Sequence, residues 1–217
     1  MIKLNFVKNK EKDFIETWEC RYFVRDSKPP HGFEHEYLKE IFDKWDGPCD
    51  EKDIYFITDD DTVNVKLRKS SKPKPTIKVR VLRDKREEFE LWRTEINQML
   101  PAPAKVWSHV LTRLNFKGDV DLLSSCSESH QVKKELLAAQ PNLLHVEARK
   151  SRWRYFKLQG EMEVAKIVIG PSQFYSVSFE SKSKNPGQVR SIRDKLPVDM
   201  LGIPKNYVRL LSEILLK

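Results

Sequence analysis

The sequence has no stretch approaching the roughly 18 consecutive apolar residues that a membrane-spanning helix needs. Its first residues, Met1-Ile-Lys-Leu-Asn-Phe-Val-Lys8, lack the apolar core of a secretory leader. Cys20, Cys49 and Cys126 are widely spaced, odd in number and form no Cys-x-x-Cys pair. That argues against a disulfide framework or a zinc site and for reduced thiols in a cytoplasmic protein. No Gly-rich phosphate loop is present, so P-loop and dinucleotide-binding readings have no motif behind them. Ser124 to Ser129 lacks the Gly-x-Ser-x-Gly setting of a serine nucleophile. What remains is a 217-residue chain, 39% hydrophobic and 33% charged, expected to form a single domain over 1–217 with no membrane attachment.

A net charge of +8 and a pI near 9.3 call for an anionic partner: nucleic acid, nucleotide, polyphosphate or anionic lipid. The distribution of that charge says more than its sum. Thr62–Arg68, Thr76–Leu82 and Glu87–Trp92 each alternate apolar with polar residues, as strands with one wet face do. Lys66 and Arg68 share a face, as do Lys78 and Arg80, and then Glu88 and Glu90.

Further strands are expected at 13–24, 53–58, 62–69, 76–83 and 86–93, and a second set at 143–157, 161–169 and 173–181. Helices are expected at 34–45, with Tyr37, Leu38, Ile41, Phe42 and Trp45 on one stripe and Gly47-Pro48 as its stop, and at 104–115, 128–139, 186–196 and 204–216. The later strands repeat the charge pattern. The first strand places Glu19 and Arg21 on one face, with Glu16 on the other. Lys150 and Arg152 share a phase within the run Arg149–Arg154, Glu161 pairs with Glu163, and Ser176, Ser178 and Glu180 follow.

If these strands form one closed or strongly curved antiparallel sheet, the wet face becomes an interior. Charges there must pair or bind something. Cations would hold phosphate oxygens, and carboxylates would hold Mg²⁺ or Mn²⁺, which favour oxygen ligands. An open sheet with its charges paired in solvent is the plainer alternative. His31-Gly-Phe-Glu-His35 has helical metal-ligand spacing, but Gly32 and the neighbouring prolines make it a loop, and Asp59-Asp-Asp61 reads as a turn.

In this order of basic and acidic strands the chain resembles the CYTH domain, the triphosphate tunnel metalloenzyme superfamily. The resemblance rests on Val65–Arg68, Thr76–Arg80, Glu88-Phe-Glu90, Lys150-Ser-Arg152 with Tyr155, Glu161-Met-Glu163 and Ser178-Phe-Glu180. It implies an α+β fold: an antiparallel eight-stranded β-barrel, or tunnel, with flanking helices. It also implies binding of a triphosphate-containing ligand with Mg²⁺ or Mn²⁺, and its hydrolysis. Arg21, Lys66, Arg68, Lys78, Arg80, Lys150 and Arg152 would hold the phosphates. Glu19, Glu161, Glu163 and Glu180 would hold the metal, and Glu88 and Glu90 would be catalytic.

In place of the family's Glu-x-Glu-x-Lys stands Thr17-Trp-Glu19-Cys-Arg21, short of one carboxylate and with a fork where the family has a point charge. Glu16 could supply the missing carboxylate only through a bulge. Two alternatives follow: a tunnel that binds a nucleotide or polyphosphate without turnover, and a nucleic-acid binder using the basic run with Trp153 and Tyr155.

Overall fold

Period-two alternation puts the two halves of each strand's side chains on opposite faces. In the computed structural model of this protein, which describes residues 14–157 and 160–215, the charged half faces inward. The segment Met1–Lys8, Asp13 of the first expected strand and Leu216 of the last expected helix lie outside the described residues.

The elements are β1 (Ile15–Val24), α1 (His35–Ile41), β2 (Lys44–Ile57), β3 (Val63–Lys69), β4 (Thr76–Arg86), β5 (Phe89–Met99), α2 (Ala104–Arg113), α3 (Val120–Ser125), α4 (Ser129–Ala139), β6 (Leu144–Lys157), β7 (Gly160–Ile169), β8 (Ser172–Ser181), α5 (Gly187–Arg193), a 3-10 turn (Val198–Leu201) and α6 (Tyr207–Leu215). The strands close into one antiparallel barrel in the order β1-β5-β4-β3-β2-β6-β7-β8, with β8 returning to β1. The expected eight-stranded tunnel with flanking helices is therefore present. The segment 120–125, for which no helix was expected, starts on an Asx cap: Asp119 accepts from the Asp121 and Leu122 backbone N–H groups at 3.0 and 2.9 Å.

Several boundaries differ from the sequence expectation; the strand expected at 53–58 begins at Lys44, and the one expected at 86–93 runs on to Met99. The helix expected over 34–45 ends at Ile41, and Trp45 already belongs to β2. Gly47-Pro48 is not a helix stop but part of an irregularity inside β2, where the pairing with β6 shifts between Asp46 and Cys49. Gly47 has φ +124°, and a Cβ there would come within 2.6 Å of the Arg152 carbonyl, so only glycine fits. The strand expected at 86–93 begins at Phe89; Glu87, with φ +57°, and Glu88 form the β4–β5 turn.

The apolar faces point outward and are covered by helices. Ile54, Val65, Leu67, Ile77 and Val79 pack under Trp107, Val110 and Leu111 of α2 and Val132 and Leu136 of α4. Trp18, Tyr22, Met162, Val177 and Phe179 pack with Leu38, Val189, Ile192 and Leu201 from α1, α5 and the 3-10 turn. Each such side chain fully buried contributes about 1.5–3 kcal/mol. The third cluster plugs one barrel end: α6 sets Tyr207, Leu210 and Leu211 against Tyr55, Ile57, Val146, Ile167, Ile169 and Phe174. Arg209 fixes that helix to Asp61 in the β2–β3 turn at 2.8 Å. Among the described residues no helix is long and apolar enough to cross a membrane.

Candidate functional site

The barrel sorts its interior charge by strand. Glu90 on β5, Glu19 on β1, Glu180 on β8 and Glu161 on β7 stand in register across four adjacent strands. Glu163 lies one step further in, level with Ser178. Across the lumen, β4, β3 and β6 present Arg80 and Lys78, Lys66 and Arg68, and Lys150 and Arg152. Between β3 and β6 runs β2, with Glu51, Asp53 and Tyr55.

Arg21 is the hub of the acidic wall. Its Nε donates to Glu19 at 2.6 Å, Nη1 to Ser176 at 2.7 Å and Glu163 at 3.2 Å, and Nη2 to Glu180 at 3.0 Å. Its guanidinium also lies 4.8 Å from the Tyr207 ring centroid. Burial would push the Glu19 carboxyl up, but Arg21 and Arg80, the latter donating at 2.8 Å, hold it near 2. Burial is likewise outweighed at Glu163 by Arg21 and Arg152, which keep it low. The outer carboxyls have less such support: Glu180 shares Arg21 with two other carboxylates, and Arg154 stands 4.0 Å from Glu161. Burial, then the neighbouring Glu180, pushes Glu161 up to about 7. Glu180 is raised by burial and Glu19. Glu90 is raised by burial although Trp92 Nε1 and Asn206 Nδ2 donate to it at 3.1 and 3.3 Å.

On the basic wall Asp53 draws Lys66, Arg68 and Lys150 together, and these cations outweigh burial to hold its carboxyl well below the usual range. Burial and the adjacent Arg68 depress Lys66 despite that partner. Lys78 has neither hydrogen bond nor ion pair among the described residues. Burial, Arg80 and Arg68 bring its ammonium down to about 8.

Arg21, Lys66, Arg68, Lys78, Arg80, Lys150, Arg152, Glu19, Glu90, Glu161, Glu163 and Glu180 thus share one interior. Glu88 does not join them: it sits in the β4–β5 turn, gripped by Arg193 of α5. It lines, with Glu90, Lys85 and Arg209, a cavity of about 410 Å³ beside the plugged end. At the other end a cavity of about 280 Å³ opens onto Glu161 and Glu180 past Thr17 and Phe156. Glu16 remains outside the lumen, paired with Arg93 at 2.7 Å on an unbulged strand. Tyr155 of the basic run is buried against Phe42 and bonded to His35 at 2.8 Å.

Sequence reasoning missed Glu51, Asp53, Tyr55, Asn206 and Tyr207 as lining residues, while Ser176 stands on the polar face expected of it. The alternation Glu51-Lys-Asp53-Ile-Tyr55 carries a strand signal, and the strand expected from 53 leaves Glu51 outside it, whereas β2 begins at Lys44.

Among the described residues no three His, Cys, Asp or Glu side chains converge as a metal cage. Glu161 and Glu180, however, face each other on β7 and β8; burial and Glu180 raise Glu161, and burial and Glu19 raise Glu180. A divalent cation relieves such a like-charge pair, and Mg²⁺ commonly uses one or two carboxylates together with water and substrate phosphates. The pair fits such an ion.

No family model and no curated protein matches the chain. Solved structures do. HpAC1 of Hippeastrum, assigned as an adenylyl cyclase and described as having a dominant triphosphatase activity, superposes with a TM-score of 0.54 at 13% identity, over 91% of this chain and 95% of that one. PH1819 of Pyrococcus horikoshii OT3 gives 0.52 at 15% identity, over 91% and 99%. The chain shares the fold of these structures, a closed eight-stranded antiparallel barrel with flanking helices.

Proposed function

We propose that this protein binds a triphosphate-containing ligand in its lumen together with Mg²⁺ or Mn²⁺ and hydrolyses a phosphoric anhydride bond. The observation that carries the reading is the sorting of interior charge into a basic wall and an acidic wall. A polyphosphate held between them would have cations on one side and metal-binding carboxylates on the other. The described triphosphatase activity of HpAC1, on the same fold, supports it.

Lys78, a lining cation with no partner among the described residues, meets a phosphate first, and Arg80, Arg68 and Arg152 supply guanidinium forks around it. The α6 plug and the buried lining exclude bulk water, which strengthens these contacts. Glu161 and Glu180 would hold the metal ion, which when bound would offset phosphoryl charge and help activate water. Glu90, raised by burial and beside Glu19, takes the proton from the attacking water.

The test is phosphate release from tripolyphosphate, ATP and thiamine triphosphate with Mg²⁺ or Mn²⁺. No release from any of the three rejects hydrolysis, and release unchanged in Glu90→Gln rejects this role for Glu90. A second reading, binding without turnover, is favoured by Thr17 at the signature and by the arginines that occupy both oxygens of Glu19 and of Glu163. Calorimetric binding of tripolyphosphate without phosphate release would select it.

A further inference from the structure

Asp53 is a carboxylate set into the middle of the basic wall, and it is 0% exposed. Its Oδ1 accepts from Arg68 Nε at 2.9 Å. Its Oδ2 accepts from Arg68 Nη2 and Lys66 Nζ, each at 3.0 Å, and from the Tyr55 hydroxyl at 3.1 Å, with Lys150 Nζ at 2.9 Å. Two point charges, one guanidinium fork and a hydroxyl are the partners a buried phosphoryl group would take. Glu51, two residues earlier on the same strand, engages Arg152 at 2.6 Å and Arg68 at 3.0 Å. Arg21 and Arg80 are likewise committed to carboxylates, which leaves Lys78 as the lining cation without a partner among the described residues.

We infer that Asp53, seconded by Glu51, is an internal counter-anion standing where a phosphoryl group of the ligand would stand, so that a polyanion enters the basic wall only by displacing carboxylate contacts. This rests on the triphosphate reading and adds a selectivity device to it. Asp53 cannot leave, because its backbone is held in register between Arg68 of β3 and Ala148 of β6. The ligand must therefore outcompete it or bind beside it against its charge. Orthophosphate offers the lysines little that Asp53 does not already give. A linear triphosphate brings several phosphoryl groups, so it can engage Lys78, which has no partner among the described residues, together with neighbouring cations and recover more than it displaces. The favoured ligand class is a chain of three or more phosphates.

Calorimetric titration of tripolyphosphate and orthophosphate into the full chain tests this, using the wild type, Asp53→Asn, Glu51→Gln and Glu147→Gln. Glu147→Gln changes the net charge equally but lies on the barrel exterior, paired to Lys52 and Lys133. Removing a like charge from a buried anion site tightens binding at least about tenfold, so Asp53→Asn is expected to bind tripolyphosphate that much more tightly and to gain orthophosphate binding. Glu51→Gln is expected to shift in the same direction by less, and Glu147→Gln to match the wild type. Should Asp53→Asn be too unstable to titrate, thermal unfolding replaces it: tripolyphosphate raises its Tm by more than it raises that of the wild type. If the wild type binds tripolyphosphate and neither lumen variant binds it more tightly, or Glu147→Gln tightens it equally, the counter-anion role is overturned while the triphosphate reading stands. If neither the wild type nor any variant binds, the triphosphate reading falls and the inference with it.

Discussion

On the basic wall, Lys66, Arg68 and Lys150 meet Asp53 on the neighbouring strand, and Arg152 meets Glu51. On the acidic wall, Glu19, Glu163 and Glu180 depend on one guanidinium, Arg21, helped from across the lumen by Arg80 and Arg152. The first arrangement is distributed and nearly satisfied as it stands. The second is centralised and leaves its outer carboxyls, Glu161 and Glu180, partly uncompensated. Two walls of one tunnel thus answer the same problem, buried charge, in different ways, and they differ in what a ligand would change. An anion entering the basic wall exchanges partners. A cation entering the acidic wall relieves repulsion.

Arg21→Met breaks the contrast most severely. It takes one partner from each of Glu19, Glu163 and Glu180 at once, leaving the first two only Arg80 and Arg152, and removing one partner of a buried ionic network costs about 3–5 kcal/mol. Chemical denaturation should show a loss of that size, and tripolyphosphate binding should disappear.

Glu161→Gln probes the relief of repulsion. Losing a metal-site group weakens metal affinity about 10–100-fold, so the Mg²⁺ or Mn²⁺ concentration giving half-maximal phosphate release should rise by that factor. A metal requirement left unchanged would remove Glu161 from the metal site.

Opposite pH dependences sharpen the comparison further. Glu161 is raised to about 7 from an ordinary 4.5, so the folded chain binds more protons than the unfolded one between these values, and its contribution to stability falls as pH rises through that window. Lys78 is lowered to about 8 from 10.5, so the unfolded chain binds more protons there and stability on its account rises with pH over that interval. Tm measured against pH should flatten at low pH in Glu161→Gln and at high pH in Lys78→Met, with Glu90, Glu180 and Lys66 supplying what slope remains. Tripolyphosphate affinity in the wild type should weaken as pH rises through about 8, and in Lys78→Met this dependence should vanish.

The smallest effect is expected outside the lumen. Glu147 is exposed and paired to Lys52 and Lys133 at 2.8 Å each, and such surface pairs contribute about 0.2–1 kcal/mol. Glu147→Gln should lower stability by no more than that in low salt and by less at high ionic strength.

The lining was legible where alternation ran unbroken. Lys66 and Arg68, Lys78 and Arg80, and Glu161 and Glu163 could be phased from their own strands, because a period of two fixes which residues share a face. Legibility failed where the backbone departs from that period. Glu87 adopts a left-handed conformation that takes Glu88 off the strand, so Glu88 and Glu90 do not share a face. Gly47-Pro48 carries the composition of a helix stop, yet lies inside a strand whose continuation holds Glu51 and Asp53. Tyr207 was unreadable for another reason. Its apolar stripe is the same whether α6 packs on a surface or plugs a barrel, and only the tertiary arrangement chooses between them.

The place of β1 has a consequence for the order of assembly. Its partners are β5 and β8, the latter completed only at Ser181, so the first strand of the barrel waits for the last. Pairings so distant in sequence make for slow folding. They also mean that Glu19 and Arg21 keep their hydration until the ring shuts. The desolvation of this buried pair is thereby postponed to the step at which Glu163, Ser176 and Glu180 are already on their own strands.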